Sequence, residues 1–399
     1  MISFTRLLCG SSYYGDQLRY TSDASRGIHG TSPGRGPVVI WNMTQSCNLN
    51  CRHCYASSDG KEYSGEMTTG EGVKFLEDLA EFKVPVILFS GGEPLLREDF
   101  FEMADMASRL GMRATISTNG TLITRDMAKS IKNRGISYVG ISLDGIGELN
   151  DRFRGKKGAF EEALEGIRAC REVGQKVGLR FTINRHNFQQ IDDIFHLVKE
   201  EGIPRVCFYH LVYSGRGKEM MEEDISHEET REVLDKIMDH TLKFYRQGDE
   251  KEILTVDNHA DGIYLYLKVR ESNPERAQEI MELLEANGGN RSGIAVGAVD
   301  SQGNVFPDQF TRNHSLGNVR EKSFKEIWRD ENNTFLSNLR NRKSLLKGRC
   351  GTCKWLDFCN GNFRARAEAF TGDFWESDPA CYLTEEEIGV KLKPEGKIV

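Results

Sequence analysis

The chain has no apolar stretch long enough to cross a bilayer; its longest apolar runs, such as 84–89, have the length of a strand. It has no excess of positive charge either. Lys and Arg number 53 against 60 Asp and Glu, so no global field draws it to nucleic acid or to an anionic membrane. No long apolar run follows the early Arg6, which argues against a secretory signal peptide. Tandem repeats and low-complexity tracts are missing as well. These absences predict a soluble cytoplasmic protein with neither membrane nor nucleic acid as partner. They leave room for an anionic ligand in a local basic pocket.

A disulfide framework is also lacking, although ten cysteines are present. Seven fall into two tight groups, Cys47, Cys51 and Cys54, then Cys350, Cys353, Cys359 and Cys381. In a cytoplasmic chain such clusters read as metal ligands before they read as bridges. Cys9, Cys170 and Cys207 stand alone and read as small apolar fillers.

From about residue 37, short apolar runs alternate with longer helical patterns. Strands are predicted at 38–43, 84–89, 113–117, 138–143, 176–183 and 205–210. Helices are predicted near 69–82, 98–110, 124–134, 159–173, 188–201 and 226–246. Strand–helix units in such succession demand parallel pairing, which predicts an α/β fold, a βα-repeat barrel or open sheet. The pattern changes near 250. A segment at 251–269 has strand character, a helix is expected at 275–286, a hairpin around Ser301-Gln302-Gly303-Asn304, and a helix near 323–341. The expected division is an N-terminal extension (1–36), a core (37–250) and a smaller metal-stapled domain (251–399).

Thiolates are soft ligands suited to iron–sulfur clusters and to zinc. Cys47-x3-Cys51-x2-Cys54 offers three from one loop directly after the first predicted strand. Three ligands leave one iron of a four-iron cluster open to an outside molecule. The competing reading, zinc completed by His53, fits poorly, because zinc sites favour paired ligands from separate elements.

This loop resembles the signature of the radical S-adenosylmethionine superfamily, with His53 in the slot that usually carries an aromatic ring. Further segments agree, in order along the chain. Ser90-Gly91-Gly92-Glu93-Pro94 resembles the family's glycine-rich turn, which contacts the amino group of the cofactor. Ser117-Thr118-Asn119-Gly120 and Ser142-Leu143-Asp144-Gly145 resemble its ribose-contacting strand ends. Arg154 matches an arginine that pairs with the cofactor carboxylate. The resemblance implies a partial six-fold β/α barrel, catalytic Cys47, Cys51 and Cys54, and S-adenosylmethionine held by His53, Gly91, Gly92, Glu93, Ser117, Asn119, Ser142, Asp144 and Arg154. The residue types suit that task. Paired glycines let backbone approach a ligand, Glu93 with Arg154 could hold a zwitterion, and barrel sites form at the C-terminal ends of strands.

The second group, Cys350-x2-Cys353-x5-Cys359 followed by Cys381, reads on spacing alone as either a zinc ribbon or a cluster site. The superfamily includes a branch whose C-terminal domains, of the SPASM and twitch types, carry auxiliary clusters. This chain resembles that branch but has Asp308 and Phe363 where the branch has cysteines. The resemblance therefore implies one auxiliary cluster, fully ligated by protein, and two four-iron clusters in all.

The opening Ser3 to Gly10, the stretch Phe306 to Val319 and the tail Cys359 to Cys381 resemble enzymes of alternative haem biosynthesis. The implied substrate is a tetrapyrrole and the implied electron source a low-potential donor such as ferredoxin or flavodoxin. Among the branch's reactions the favoured one removes two acetate arms from didecarboxysirohaem to leave iron-coproporphyrin III. Steps toward haem d1 or haem on similar substrates compete with it. Arg312, Arg364 and Arg366 are candidates for substrate carboxylates, and His210, His259 and His314 for its iron, although solvated arginines and structural histidines explain them as well. Two other classes stand beside this one. A peptide-modifying maturase would be expected to keep the additional cluster cysteines, and a non-catalytic iron–sulfur carrier would leave the glycine turn unexplained.

Overall fold

A computed structural model describes residues 1–20, 27 and 29–389; part of the Gly- and Ser-rich stretch that begins at 21 lies outside the described residues. Among the described residues the strands are β1 (Ile2–Ser3), β2 (Val38–Thr44), β3 (Val86–Gly91), β4 (Arg113–Thr118), β5 (Tyr138–Ser142), β6 (Val177–Ile183), β7 (Arg205–His210), β8 (Glu252–Val256), β9 (Val296–Val299), β10 (Asn304–Phe306) and β11 (Gly317–Asn318). They form one sheet in the order β1-β8-β7-β6-β5-β4-β3-β2-β9-β10-β11. From β2 to β8 every neighbouring pair is parallel. Parallel neighbours need a crossover, and helices Thr69–Glu81, Phe100–Arg109, Arg125–Asn133, Ala159–Glu172, Ile191–Glu200 and His227–Arg246 supply them.

The strands have two unlike faces because side chains alternate with period two. On β6, Leu179, Phe181 and Ile183 are buried in the main core under the helices. Each such burial is worth roughly 1.5–3 kcal/mol. Their alternates Arg180 and Thr182 face inward and line a cavity, as do Ile40, Leu88, Ser117, Ser142 and Tyr209 on other strands.

The sheet continues past residue 250 at both edges. β8 is a further parallel strand beside β7. At the opposite edge β9 pairs parallel with β2 and carries the β10 and β11 hairpins. The hairpin around 301–304 forms as expected. The strand character read at 251–269 ends at Val256; Ala260–Ser272 is a helix whose buried Ile263, Tyr264 and Leu265 made an apolar run ambiguous between strand and helix. The helix read near 323–341 breaks into Phe324–Trp328 and Thr334–Arg340, because Asn333 caps the second piece through Leu336 N. The first residues cover an edge: Ile2 pairs with Thr255, and Thr5 Oγ1 both donates to Lys251 O (2.7 Å) and accepts from Ile253 N (2.9 Å). No helix among the described residues is long and apolar enough to cross a membrane.

Candidate active site

The cysteine loop leaves β2 at Thr44 and is held from three sides. The glycine turn after β3 clasps its start: Gly92 N donates to Thr44 O (2.7 Å) and Glu93 N to Ser46 O (2.9 Å). Both glycines are required there. Gly91 has φ +126, and a Cβ on Gly92 would lie 2.0 Å from Ser46 O. The helix Glu148–Arg154 clasps the middle through Asn50 N to Arg154 O (3.2 Å) and Arg52 N to Phe153 O (3.0 Å). Arg216 clasps the end. Its Nε donates to Cys51 O (2.8 Å), its Nη2 to Ser58 O (2.8 Å) and its backbone N to Cys54 O (3.0 Å). Sequence reasoning missed Arg216. Its only signal is the Ser214-Gly215-Arg216-Gly217 run, in which a Cβ on Gly215 would meet Tyr55 O at 2.4 Å.

Cys47, Cys51 and Cys54 line one cavity together with His53, Gly91, Gly92, Ser117, Asn119, Ser142 and Arg154. The thiols receive weak donors from this frame: Leu49 N and Asn119 Nδ2 to Cys47 (3.4 and 3.9 Å), Arg154 Nη1 to Cys51 (3.5 Å) and Ser58 N to Cys54 (3.4 Å). Burial pushes the Cys47 thiol up to about 12. Burial also raises Cys51, against the pull of Arg154. A metal must therefore displace these protons to bind, and the surrounding donors favour the resulting thiolates. Among the described residues no three His, Cys, Asp or Glu side chains converge to hold a single ion. The three thiols instead border one cavity, an arrangement suited to the corners of a polynuclear cluster.

Glu93 and Asp144, expected at the cofactor, are fully buried and do not line the cavity. Glu93 accepts from Thr118 Oγ1 (2.8 Å), Asn119 N (2.8 Å) and Leu95 N (3.1 Å), which ties the glycine turn to the end of β4. Burial pushes it up to about 7 despite these donors. Asp144 accepts from Thr182 N (2.9 Å) and is ion-paired with Arg154. Its Oδ2 also lies 3.5 Å from His53 Nε2. Burial lowers His53 to about 4, which keeps the ring neutral, and it packs on Phe153 (4.8 Å).

Cys350, Cys353, Cys359 and Cys381 border a second cavity with Ala260, Ile263, Leu356, Leu383 and Ile388. Burial raises Cys381 to about 12 and pushes Cys359 higher still. After Cys359 the backbone turns left-handed at Asn360, Gly361 and Asn362. Asn360 Nδ2 donates to Asn290 O (2.6 Å) and Asn362 Oδ1 accepts from His259 N (2.7 Å), so this turn is pinned to the rest of the fold. The two positions without cysteine have other duties. Asp308 accepts from Phe310 N and Thr311 N (both 2.8 Å). Phe363 is buried and packs on Phe310 (5.4 Å), which in turn meets Tyr55 (5.1 Å) beside Cys54.

Several substrate candidates are corrected. Arg366 is fully buried, bidentate to Asp378 (2.8 and 2.9 Å), and donates to Leu211 O (2.9 Å) and Asp257 O (2.7 Å). Arg364 is buried and donates to the carbonyls of Phe374 (3.4 Å), Glu376 and Gly361. Both are buried and neither lines the cavity, so neither is placed to meet a ligand there, and neither is a solvated surface arginine. His314 is tied to Glu368 (2.6 Å) and stacked on Phe335, away from the cavity. His259 is buried off the cavity. His210 does line it, with Nε2 held by Asp261 (2.9 Å). Arg312, with its guanidinium 5.8 Å over Phe306, is half-buried and remains available.

A family model for the radical SAM superfamily matches residues 41–184, and one for an iron-sulfur cluster-binding domain matches 296–354. The second range holds Cys350 and Cys353, while Cys359 and Cys381 lie beyond it. The chain is 55% identical to an Fe-coproporphyrin III synthase of Methanosarcina barkeri, over 98% of this chain and 99% of that one. It is 44% identical to a pre-heme d1 synthase of Dinoroseobacter shibae, over 95% and 93%. Among solved structures, SuiB of Streptococcus suis bound to its precursor peptide SuiA superposes with a TM-score of 0.70 at 18% identity, covering 88% of this chain and 76% of that one. At that identity the likeness bears on the fold alone.

Proposed function

This chain belongs to the radical SAM superfamily and carries an iron-sulfur cluster-binding domain, and on that premise we propose that it removes two acetate side chains from didecarboxysirohaem to yield iron-coproporphyrin III. The observation that carries this reading is the 55% identity to an Fe-coproporphyrin III synthase across nearly the whole of both chains. A step toward haem d1 is the second reading, supported by the 44% identity to a pre-heme d1 synthase.

The cavity suits a flat, apolar ring with anionic arms. Ile40, Leu88, Leu211, Val212 and Phe310 give it apolar walls, and Arg154, Arg180 and Arg216 border the same space. A reduced cluster and S-adenosylmethionine, when bound, supply a hydrogen-abstracting radical by reductive cleavage of a carbon–sulfur bond. The protein's own contribution is to place and enclose. Cys47, Cys51 and Cys54 hold the catalytic cluster, and the weak donors from Asn119 and Arg154 moderate the thiolate charge. Gly91, Gly92, His53, Ser117, Asn119, Ser142 and Arg154 form the cofactor cradle, while Glu93 and Asp144 hold that cradle in shape from behind it. The phenylalanine and leucine walls exclude water, which protects a radical from quenching.

Cys350, Cys353, Cys359 and Cys381 hold one auxiliary cluster, which makes two in all. Residues 37–250 form the catalytic core and 251–399 carry the auxiliary cluster, with 1–36 as an extension. The donor is a low-potential ferredoxin or flavodoxin of the cytoplasm. The test is the formation of 5′-deoxyadenosine by the reduced, cluster-loaded protein. Stimulation by didecarboxysirohaem supports the proposal; stimulation by a peptide and by no tetrapyrrole refutes the substrate class.

A further inference from the structure

The inner face of β6 places one cation at the floor of the catalytic cavity without an anionic partner. Arg180 pairs in register with Ser142 of β5 and with Cys207 of β7. Its side chain runs back over Gly140, where a Cβ would lie 2.8 Å from Arg180 Cδ. The guanidinium therefore lies below the strand ends that form the cofactor cradle. Its neighbours are aromatic, with the Tyr209 ring 4.8 Å away. Among the described residues no carboxylate lies in ion-pair reach of Arg180, and no carbonyl accepts a hydrogen bond from it.

The other cations near this floor are committed. Arg154 is paired with Asp144, Arg216 with the carbonyls of Cys51 and Ser58, and Arg205 with Glu252 at 3.5 Å. The acid on the same wall, Asp257, feels the N-terminal amine and then Arg366 rather than Arg180. Arg180 is half-buried, and a guanidinium partly withdrawn from water without an anion carries a cost that an aromatic face offsets only in part. A fork of this shape matches a carboxylate in bidentate geometry.

We infer that Arg180 anchors a carboxylate arm of the substrate at the floor of the cavity, and so sets which arm is presented for reaction. This rests on the tetrapyrrole reading of the same site. The cofactor's own carboxylate is the other source of the same chemistry, and the test separates the two.

Cluster-loaded protein is titrated, without turnover, with iron coproporphyrin III, with its tetramethyl ester, and separately with S-adenosylmethionine, for wild type, Arg180→Gln and Arg180→Lys. The expected result is that Arg180→Gln weakens binding of the acid about 30-fold or more. The ester should bind wild type and Arg180→Gln alike, Arg180→Lys should recover part of the acid affinity, and the S-adenosylmethionine affinity should stay unchanged. Equal acid binding by wild type and Arg180→Gln overturns the inference alone. So does equal loss for acid and ester, which marks a structural role, or a loss confined to S-adenosylmethionine. A wild type that binds no tetrapyrrole overturns the tetrapyrrole reading and this inference with it. Should Arg180→Gln fail to fold, the wild-type preference for acid over ester and its reduction in Arg180→Lys decide the matter; a wild type indifferent to esterification overturns the inference.

Discussion

Replacing Arg366 by Met removes a fork that closes the seam between the second cysteine group and the ends of β7 and β8. The side chain is fully buried and makes four hydrogen bonds, two to Asp378 and one each to the carbonyls of Leu211 and Asp257. Burial alone would raise Asp378, yet the guanidinium outweighs it and holds the carboxyl below the usual range. In Arg366→Met, Asp378 keeps its bonds from Phe363 N and Ala380 N (both 3.0 Å) but loses its counter-charge. Breaking a buried pair in this way costs about 3–5 kcal/mol, and two carbonyls left without a donor act in the same direction. The assay is urea unfolding of the anaerobic protein, followed by tryptophan fluorescence. A loss below about 1 kcal/mol would refute the reasoning. An Arg366 that bound substrate would instead weaken tetrapyrrole binding and leave the unfolding midpoint in place.

Gly92→Ala should abolish S-adenosylmethionine binding while leaving the second group's iron in place, since a Cβ 2.0 Å from Ser46 O must displace the cysteine loop; isothermal titration and iron analysis read both. Glu93→Gln should destabilise the protein by about 1–3 kcal/mol, because both carboxylate oxygens accept from backbone N–H groups and an amide nitrogen would face one of them. Thermal unfolding checks this, and an unchanged midpoint contradicts it. Reconstituted protein should hold about eight iron atoms per chain, and changing Cys350, Cys353 and Cys359 together to Ala should remove about half of them. Stoichiometric zinc at that group would rule the assignment out. Cys47→Ala, Cys51→Ala or Cys54→Ala should each abolish reductive cleavage of S-adenosylmethionine, whereas loss of the second group should spare at least part of it.

The central strands were legible because their apolar alternation and the helical periods between them are local signals. The strands β2 to β7 lie within two residues of where alternation placed them. β8 fell inside the segment read as strand, though its end at Val256 was not legible; β9 was harder to read because it joins the sheet beside β2, a partner far along the chain. The cysteine loop and glycine turn could be read from spacing, since a tight approach of backbone leaves a residue-type trace at Gly91 and Gly92. Arg216 left only the faint trace of its flanking Gly215 and Gly217, because its partners are carbonyls, which any sequence supplies. Arg364 and Arg366 misled for the opposite reason. An arginine is mostly exposed unless paired, and the pairing of Arg366 depends on Asp378 and on two barrel carbonyls that only the folded chain brings near. Glu93 and Asp144 were expected at the cofactor from the resemblance of their turns to the family's motifs; both lie buried just behind the cavity, held by donors from the end of β4 and from β6.

The most direct test of the account is the mass of the tetrapyrrole after anaerobic incubation of the cluster-loaded protein with didecarboxysirohaem, S-adenosylmethionine and a low-potential reductant. The account predicts loss of both acetate arms and a product with the mass of iron-coproporphyrin III. Recovery of the substrate unchanged, or a product that retains its acetates and has altered propionates, would contradict it.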